Sequence, residues 1–533
     1  MSDRILAQAF SSVSADQRRL ERRISVGKGA RVKLLAPLLA ALMALAGAGC
    51  VSAGEPEEPV ARVWVTSGDR SQMLSEQAPL RFAVDASLER PVLALDVAQR
   101  FQHMVGFGAA ITDASAWLIQ TRLTPPQRAA LMQELFGRDA GGLGFSFTRI
   151  TIGASDFSLN HYSLADAADP TLQDFSTRRM EESVFPTVRQ ALALNPDLEV
   201  MATPWSAPGW MKTSGSMIQG ELKPEFYAVY ADYLQHYIEA AAAQGVPTDY
   251  LSIQNEPDFE PDSYPGMRWG PQGRATFIGR HLGPRLLAAG IETDILDWDH
   301  NWDQPEQALE VLSDPDAQAF VAGVAWHCYA GDVAAQTHVH DAYPDKSAFF
   351  TECSGGGWAP DFSDSFVWMM KNLIIGSTNA WASGVLMWNL ALDENHGPHS
   401  GGCGDCRGVV TIDSRTGAVQ RNQEYYAFGH ASRFVRTGAQ RIGLVEAGGL
   451  LGVAFVNLDG ERVLVVLNEG SETVTFGIQD GSWQALAELP PKSAATYAWL
   501  PPAISPEQGR SSGPVPEPGT PESARREAVD HGD

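Results

Sequence analysis

From about residue 100 to 395 one pattern recurs: a short β-rich apolar run ending in polar or aromatic side chains, then a stretch with helical spacing. The runs cover 105–110, 145–153, 198–205, 250–256, 293–299, 323–329, 347–352 and 384–388. Helical stretches between them include 125–136, 182–194, 224–244, 273–289 and 363–376. Alternating strand and helix units predict a parallel sheet with helices outside. This number of units fits an α/β fold of the closed (β/α)8 TIM-barrel type, whose functional side chains gather at the C-terminal strand ends. An open doubly wound sheet fits less well, because no Gly-rich phosphate fingerprint follows the first strand.

The flanks carry a different period. Residues 61–98 and about 430–500 alternate apolar and polar positions in short runs such as GVAFVNLDG and RVLVVLNEG, punctuated by Asp-Gly and Glu-Gly turns. They predict one antiparallel β-sandwich built from both ends of the barrel. The domain reading is therefore an export signal (1–50), a tether (51–60), the N-terminal part of the sandwich (61–98) and the catalytic barrel (99–400). The C-terminal part of the sandwich (401–500) follows. The Pro-, Ser-, Gly- and Glu-rich tail (501–533) is read as disordered.

Composition narrows the function. Hydrophobic residues at 44% and charged residues at 19% are the balance of an ordinary globular chain. With 64 acidic against 39 basic residues, the net charge of −25 repels phosphate backbones and argues against nucleic-acid partners. The 14 Trp and 12 Tyr include candidate stacking partners for sugars, although most are expected in the core.

The N-terminus reads as an address. A basic stretch from Arg18 to Lys33 precedes an apolar segment at 34–49, and small residues then lead into Cys50. Cys50 resembles the lipidation site of bacterial lipoproteins, with Gly47 standing where such signals usually place an aliphatic residue. An exported protein is expected, extracellular or an outer-membrane lipoprotein of a bacterium attached through lipidated Cys50, with simple secretion as the alternative. Cys403 and Cys406 form a C-x-x-C in a Gly-rich loop, where export leaves a local disulfide open without deciding it. His396 and His399 lie just upstream and leave a zinc reading open, although the spacing is short for one. Cys328 and Cys353 read as small buried thiols.

Two carboxyl groups carry the candidate chemistry. Glycosidic bonds need one to protonate the leaving oxygen and a second to attack carbon or activate water. Glu256 ends YLSIQNE and Glu352 ends SAFFTE, the fourth and seventh runs. A closed barrel points both into one bowl. An ion pair or a cap is the alternative for either. Asn255, beside Glu256, could donate to a sugar 2-hydroxyl. Phe349, Phe350 and Cys353 around Glu352 would cost a carboxylate its solvation unless it had a partner or a task.

These motifs carry a resemblance. GFGAAITDASA, FTRITIGASDFS, ATPWSAPGWMKT, LSIQNEP, GVAWHCYAG, FFTECSGG and MWNLALD, in this order, resemble glycoside hydrolase family 30, the family of glucosylceramidases and endo-β-1,6-glucanases. The likeness spans about residues 60–500. It implies a retaining (β/α)8-barrel glycosidase with a side sandwich, needing no cofactor and no metal. By motif, Glu256 resembles the acid/base and Glu352 the nucleophile. Asp113 resembles a residue holding sugar hydroxyls, with a helix N-cap as the alternative. Trp205 resembles a subsite wall and Trp388 a platform at the eighth strand end. Arg149 would steady the nucleophile's charge. His327 and Tyr329 share a face by alternation, so one could bond the nucleophile while the other packs. Lys212, Asp297 and Asp299 remain unassigned bowl residues. Glu256 is expected to titrate higher than Glu352, because its charged neighbour disfavours ionisation.

The resemblance leaves the substrate between β-1,6-glucan and glucosylceramide, with the WHCYAG and TECSG segments closer to the endo-β-1,6-glucanase branch. β-Xylosidase and β-fucosidase activities stay open. A non-catalytic carbohydrate-binding lipoprotein and a metal-dependent hydrolase built on His396, His399, Cys403 and Cys406 are the rival classes.

Overall fold

The computed structural model describes residues 58–84, 90–139 and 141–502. The segment read as an export signal, with Cys50, most of the segment read as a tether and all but the first two residues of the segment read as a tail lie outside them. Eight parallel strands close a barrel in chain order: β1 (Gly106–Ala110), β2 (Phe147–Ile152), β3 (Glu199–Pro204), β4 (Tyr250–Ser252), β5 (Asp294–Asn301), β6 (Val321–His327), β7 (Ser347–Glu352) and β8 (Ala382–Asn389). The expected α/β barrel is therefore the fold.

The barrel interior is filled in layers, as strand alternation requires. Val105, Phe147, Met201, Tyr250, Leu296, Ala325, Phe349 and Leu386 form an apolar plug at its base. Two residues further along β2, β3, β6 and β7 the same face carries Arg149, Thr203, His327 and Thr351, all buried. One period of the strand thus separates hydrophobic core from chemistry.

β5 breaks that period. Its register against β6 shifts between Trp298 and His300, and Trp298 and Asp299 take left-handed φ values of 73° and 49°. Such a bulge re-aims side chains. Asp297, next to the inward Leu296, faces the helices by ordinary alternation, where Arg274 Nε donates to it at 2.9 Å, and the bulge turns Asp299 into the barrel instead of onto that same face. β4 is shorter than expected and ends at Ser252. Beyond it Glu256 sits at φ 46°, with its N–H donating to the Asp299 carbonyl at 3.1 Å.

Both chain ends build the second unit, an eleven-stranded sheet. Val60–Ser67 and Val92–His103 join six strands between Gln440 and Trp499, antiparallel apart from the pairing of Val474–Asp480 with Val92–His103. Alternation again sorts its faces. Val463, Val465 and Leu467 pack in the core shared with the barrel, whereas Leu464, Val466, Tyr497 and Trp499 fill the sheet's own core. The sequence reading closes the barrel at 400. In the structure Gln423–Ser432 is still a helix of the barrel shell, and the sheet resumes only at Gln440. The Gly- and Cys-rich insert before that helix, with its short strands Cys406–Arg407, Val410–Ile412 and Val419–Arg421, imitates the start of the sandwich.

His430 joins the two units. Its buried ring lies 2.9 Å from both Thr66 Oγ1 and Thr496 Oγ1, and burial pushes its pKa down from 6.5 to about 3. The unfolded chain therefore binds a proton that the folded chain refuses between these values, and stability falls as pH drops from 6.5 toward 3. Replacing His430 with Gln keeps a polar group there without the titration. Its melting temperature is expected to fall less steeply over that range than the wild type's; equal slopes would contradict the assignment.

Candidate active site

Arg149, 0% exposed and the third residue of β2, organises the site. Its Nη1 donates to Glu352 Oε2 at 2.5 Å and its Nη2 to Asp299 Oδ2 at 2.7 Å and Asn255 Oδ1 at 2.8 Å. Its Nε donates to Thr203 Oγ1 at 3.1 Å. One guanidinium thus gathers groups from four strands or the loops after them, which its planar fork of donors suits. Tyr329 OH donates to the other oxygen of Glu352 at 3.0 Å. Both oxygens of Glu352 are therefore held.

His327 lies between the carboxylates. Its Nδ1 donates to Glu256 Oε1 at 3.1 Å and its Nε2 to Asp299 Oδ1 at 3.0 Å, while Nε2 stands 4.0 Å from Glu352 Oε2. With carboxylates on both nitrogens, the ring carries both protons. Burial alone would lower its pKa, but Glu352, Asp299 and Glu256 outweigh it and raise the value from 6.5 to about 9. Asp299, which also accepts from Thr351 Oγ1 at 2.7 Å, is held below the usual carboxylate range: burial opposes this, and Arg149 and His327 prevail.

The expectation for Glu256 reverses. Burial pushes its pKa up, yet the imidazoles of His300, 3.5 Å away, and His327 pull it well below the ordinary range. The two neighbouring imidazoles, invisible from the spacing of the two glutamates, overcome the nearby carboxylate.

A cavity of about 910 Å³ opens over this network, lined by Glu256, Glu352, Tyr329, Trp388, His300 and Asp156 among others. Trp388 stacks on Trp205 with ring centroids 4.9 Å apart, and Arg149 lies 4.7 Å over the Trp205 ring. Trp205 thus backs the wall rather than lining the cavity. Asp113 is not among the lining residues either. It occupies the first turn of helix Asp113–Thr121, whose N-cap is Thr112, and it accepts from Tyr162 OH at 3.0 and 3.2 Å. Burial raises its pKa to about 6 against those hydrogen bonds. Lys212 ties loops together, its Nζ donating to Ser206 Oγ, Met217 O and Gly266 O within 2.8 Å.

Cys328 and Cys353 are not free thiols. Adjacent ends of β6 and β7 bring them into a disulfide with Cα atoms 5.4 Å apart. The bond ties the strand end bearing His327 and Tyr329 to the one bearing Glu352. Cys403 and Cys406 form a local disulfide, and His396 and His399 bond the carbonyls of Cys406 and Gly401 instead. Glu256, His300 and His327 are the one group among the described residues that could offer three ligand atoms to a metal ion. The same atoms serve the proton network above.

Sequence reasoning passed over Asp156, His300, Thr351 and the role of Asp299. The run DWDHNW signalled the last only as one of two acidic residues, because the bulge that separates them leaves no mark in the hydrophobic pattern.

The chain matches the Glycosyl hydrolase family 30 TIM-barrel domain over residues 104–435 and the Glycosyl hydrolase family 30 beta sandwich domain over 438–497. It belongs to glycoside hydrolase family 30 and is a glycosidase. It is 33% identical over 438 residues to the endo-1,6-beta-D-glucanase neg1 of Aspergillus fumigatus, covering 75% of this chain and 86% of that protein. To the lysosomal acid glucosylceramidase of Mus musculus it is 31% identical over 447 residues, covering 76% of this chain and 83% of that one. The solved structure of the endo-beta1,6-glucanase BT3312 matches with a TM-score of 0.78 at 32% identity, over 83% of this chain and 99% of that chain.

Two outcomes follow from the geometry. Because His327 is raised from 6.5 to about 9, its stabilising contribution is complete below 6.5 and is lost as pH rises through about 9. kcat/KM is expected to fall over that upper limb, and His327→Gln should abolish the limb; an unchanged limb would exclude His327 as its source. Replacing both Cys328 and Cys353 with Ser should cost about 3 kcal/mol of stability. It should also lower kcat by about 10- to 100-fold through loss of the Tyr329–Glu352 alignment. Full kcat in a folded double variant would show that the disulfide does not set that alignment.

Proposed function

We propose that the protein is an endo-acting β-1,6-glucanase working by retaining double displacement, with Glu352 as nucleophile and Glu256 as acid/base. The observation that carries this reading is a pair of glutamates over the barrel mouth on either side of the His327 ring, which bonds Glu256 and stands 4.0 Å from Glu352, the latter clamped by Arg149 and Tyr329. Glu352 attacks the anomeric carbon, and Arg149 and Tyr329 keep its oxygens oriented. Bound substrate excludes water from Glu256, which favours a neutral carboxyl and a neutral imidazole over the ion pair. The proton held by His327 then passes to Glu256 and on to the leaving oxygen. Once Glu352 is esterified, Glu256 takes a proton from the incoming water, whose oxygen bonds the anomeric carbon as the bond to Glu352 breaks; that proton returns to His327, and the sugar leaves with its configuration retained. Arg149 occupies the Asn255 carbonyl, which leaves the amide N–H2 to donate to a sugar 2-hydroxyl. Trp388 serves as the platform under the ring.

The 33% and 32% likenesses to endo-1,6-β-glucanases support β-1,6-glucan as the substrate. The export signal supports it too, since a polymer outside the cell is what an exported or Cys50-tethered enzyme meets. Hydrolysis of glucosylceramide is the second reading, favoured by the 31% identity to the mouse glucosylceramidase. Purified protein should be incubated separately with linear β-1,6-glucan and glucosylceramide. Short β-1,6-linked oligosaccharides are expected from the first, reduced on the order of 10⁴-fold by Glu352→Gln. EDTA should leave the rate unchanged. Glucose released only from glucosylceramide would replace the proposed substrate, and loss of turnover with chelator would return the Glu256–His300–His327 group to consideration as a metal site.

A further inference from the structure

Lys212 takes no part in the network around Arg149, yet it is 0% exposed. Glu260, the carboxylate whose charge reaches it, pairs with Arg268 at 3.4 Å. Burial pulls the Lys212 pKa down from 10.5 to about 7 against that charge, so an ammonium is kept there at a cost. Three oxygens receive it: Ser206 Oγ at 2.8 Å and the Met217 and Gly266 carbonyls at 2.7 Å each. They match its three donors. Ser206 follows β3, Met217 lies in the loop beyond Lys212, and Gly266 lies in the loop beyond Glu256. One side chain thus pins together the loops of two strands.

The two loops also clasp each other. Gly266 N–H donates to the Met217 carbonyl, Arg268 N–H to the Gly220 carbonyl and Gly220 N–H to Glu260 Oε1, each at 3.0 Å. Gly266 lies so close to Pro261 that a Cβ there would stand 2.4 Å from Pro261 Cδ. This clasp carries one wall of the cavity, with Gln219 from the first loop and Phe259, Pro261 and Tyr264 from the second. Phe259 is 46% exposed and starts from the loop of Glu256, its N–H donating to the Glu256 carbonyl at 2.9 Å. Glu256 meets the leaving oxygen in the proposed mechanism, so the wall continuing from it flanks the leaving group. Trp388 and Glu352 serve the other side, where the transferred sugar lies.

We propose that Lys212 is a positioning residue that fixes this wall and so sets how many sugars past the scissile bond the enzyme holds. The inference rests on the reading of Glu256 as acid/base. Lys212 is not among the residues lining the cavity, so it acts through the loops it ties. Without its ammonium, the Met217 and Gly266 carbonyls lose their shared donor, and the wall shifts while Glu352 stays clamped. Binding past the scissile bond therefore weakens selectively.

Met matches the reach of Lys without its donors, so Lys212→Met is the test variant. A β-1,6-glucohexaose carrying carbon-13 in its reducing-end sugar is digested, and the product masses map the cuts. Lys212→Met should lower the share of cuts leaving two or more sugars in the leaving group, relative to those leaving one, by about 10-fold. This ratio does not depend on how much of the protein is folded, and an unchanged map would overturn the proposal. Ser206→Ala removes one of the three acceptors and should move the map the same way by about threefold. It serves if Lys212→Met does not fold, and an unchanged map there would equally overturn the proposal. If the wild type leaves the hexaose intact, the substrate reading fails, and glucosylceramide is compared with 4-nitrophenyl β-glucoside instead. Lys212→Met should then lose about 10-fold more kcat/KM on the first than on the second, and equal losses would overturn the proposal. The acid/base reading is checked separately. Glu256→Gln should still release a burst of dinitrophenol from 2,4-dinitrophenyl β-glucoside, whose leaving group needs no proton, and should lose the hexaose. Loss of both removes that reading, while a shifted map still supports the role of Lys212.

Discussion

The active centre depends on one buried cation. Arg149 is 0% exposed, and three of the groups it holds, Glu352, Asp299 and Asn255, come from three further places on the barrel rim. Taking a guanidinium out of water is expensive, and an unpaired buried charge destabilises a fold by about 3–5 kcal/mol. Glu352 and Asp299 neutralise it, and Asp299 in turn is held ionised by it. In the proposed mechanism the attacking carboxylate has to be both charged and poorly hydrated, and the ion pair with Arg149 reconciles the two. His327 repeats the arrangement one strand pair away, held protonated by the same carboxylates and turned toward Glu256.

How this cluster comes about is mostly strand arithmetic. Phe147 to Arg149, Met201 to Thr203, Ala325 to His327 and Phe349 to Thr351 are each one period apart, so an apolar plug and a polar layer alternate up the barrel. The two glutamates and the His327–Tyr329 pair were legible because they close β-rich runs, and Arg149 because it stands one period beyond Phe147 within its run. What the pattern could not reveal lies where the period breaks. The left-handed pair Trp298–Asp299 turns Asp299 inward, away from the face where Asp297 meets Arg274, and no hydrophobic position records the slip. The titration of Glu256 was likewise misjudged, because His300 becomes its neighbour only through that same bulge.

The cysteines teach a related lesson about distance. Cys403 and Cys406 are three residues apart, so their bond could be weighed from the sequence; Cys328 and Cys353 are 25 apart and meet because β6 and β7 are adjacent. Asp156 escaped notice because it lies beyond its strand, in a loop whose position is set by contacts with Ser400 and Gly402, more than 240 residues away in the chain. The C-terminal loops of this barrel thus bring cavity-lining groups together across long separations, while the strands supply groups whose spacing can be read directly.

The central claim is that Glu352, held by Arg149 and Tyr329, forms a covalent bond to the sugar. A 2-deoxy-2-fluoro β-glucosyl substrate with a good leaving group slows breakdown of such an intermediate, so the adduct can be isolated, digested and sequenced by mass spectrometry. The account predicts a single fluoroglucosyl group on the peptide carrying FFTECSGG, at Glu352. An adduct on another residue, or turnover that inverts the anomeric centre with no adduct at all, would contradict it.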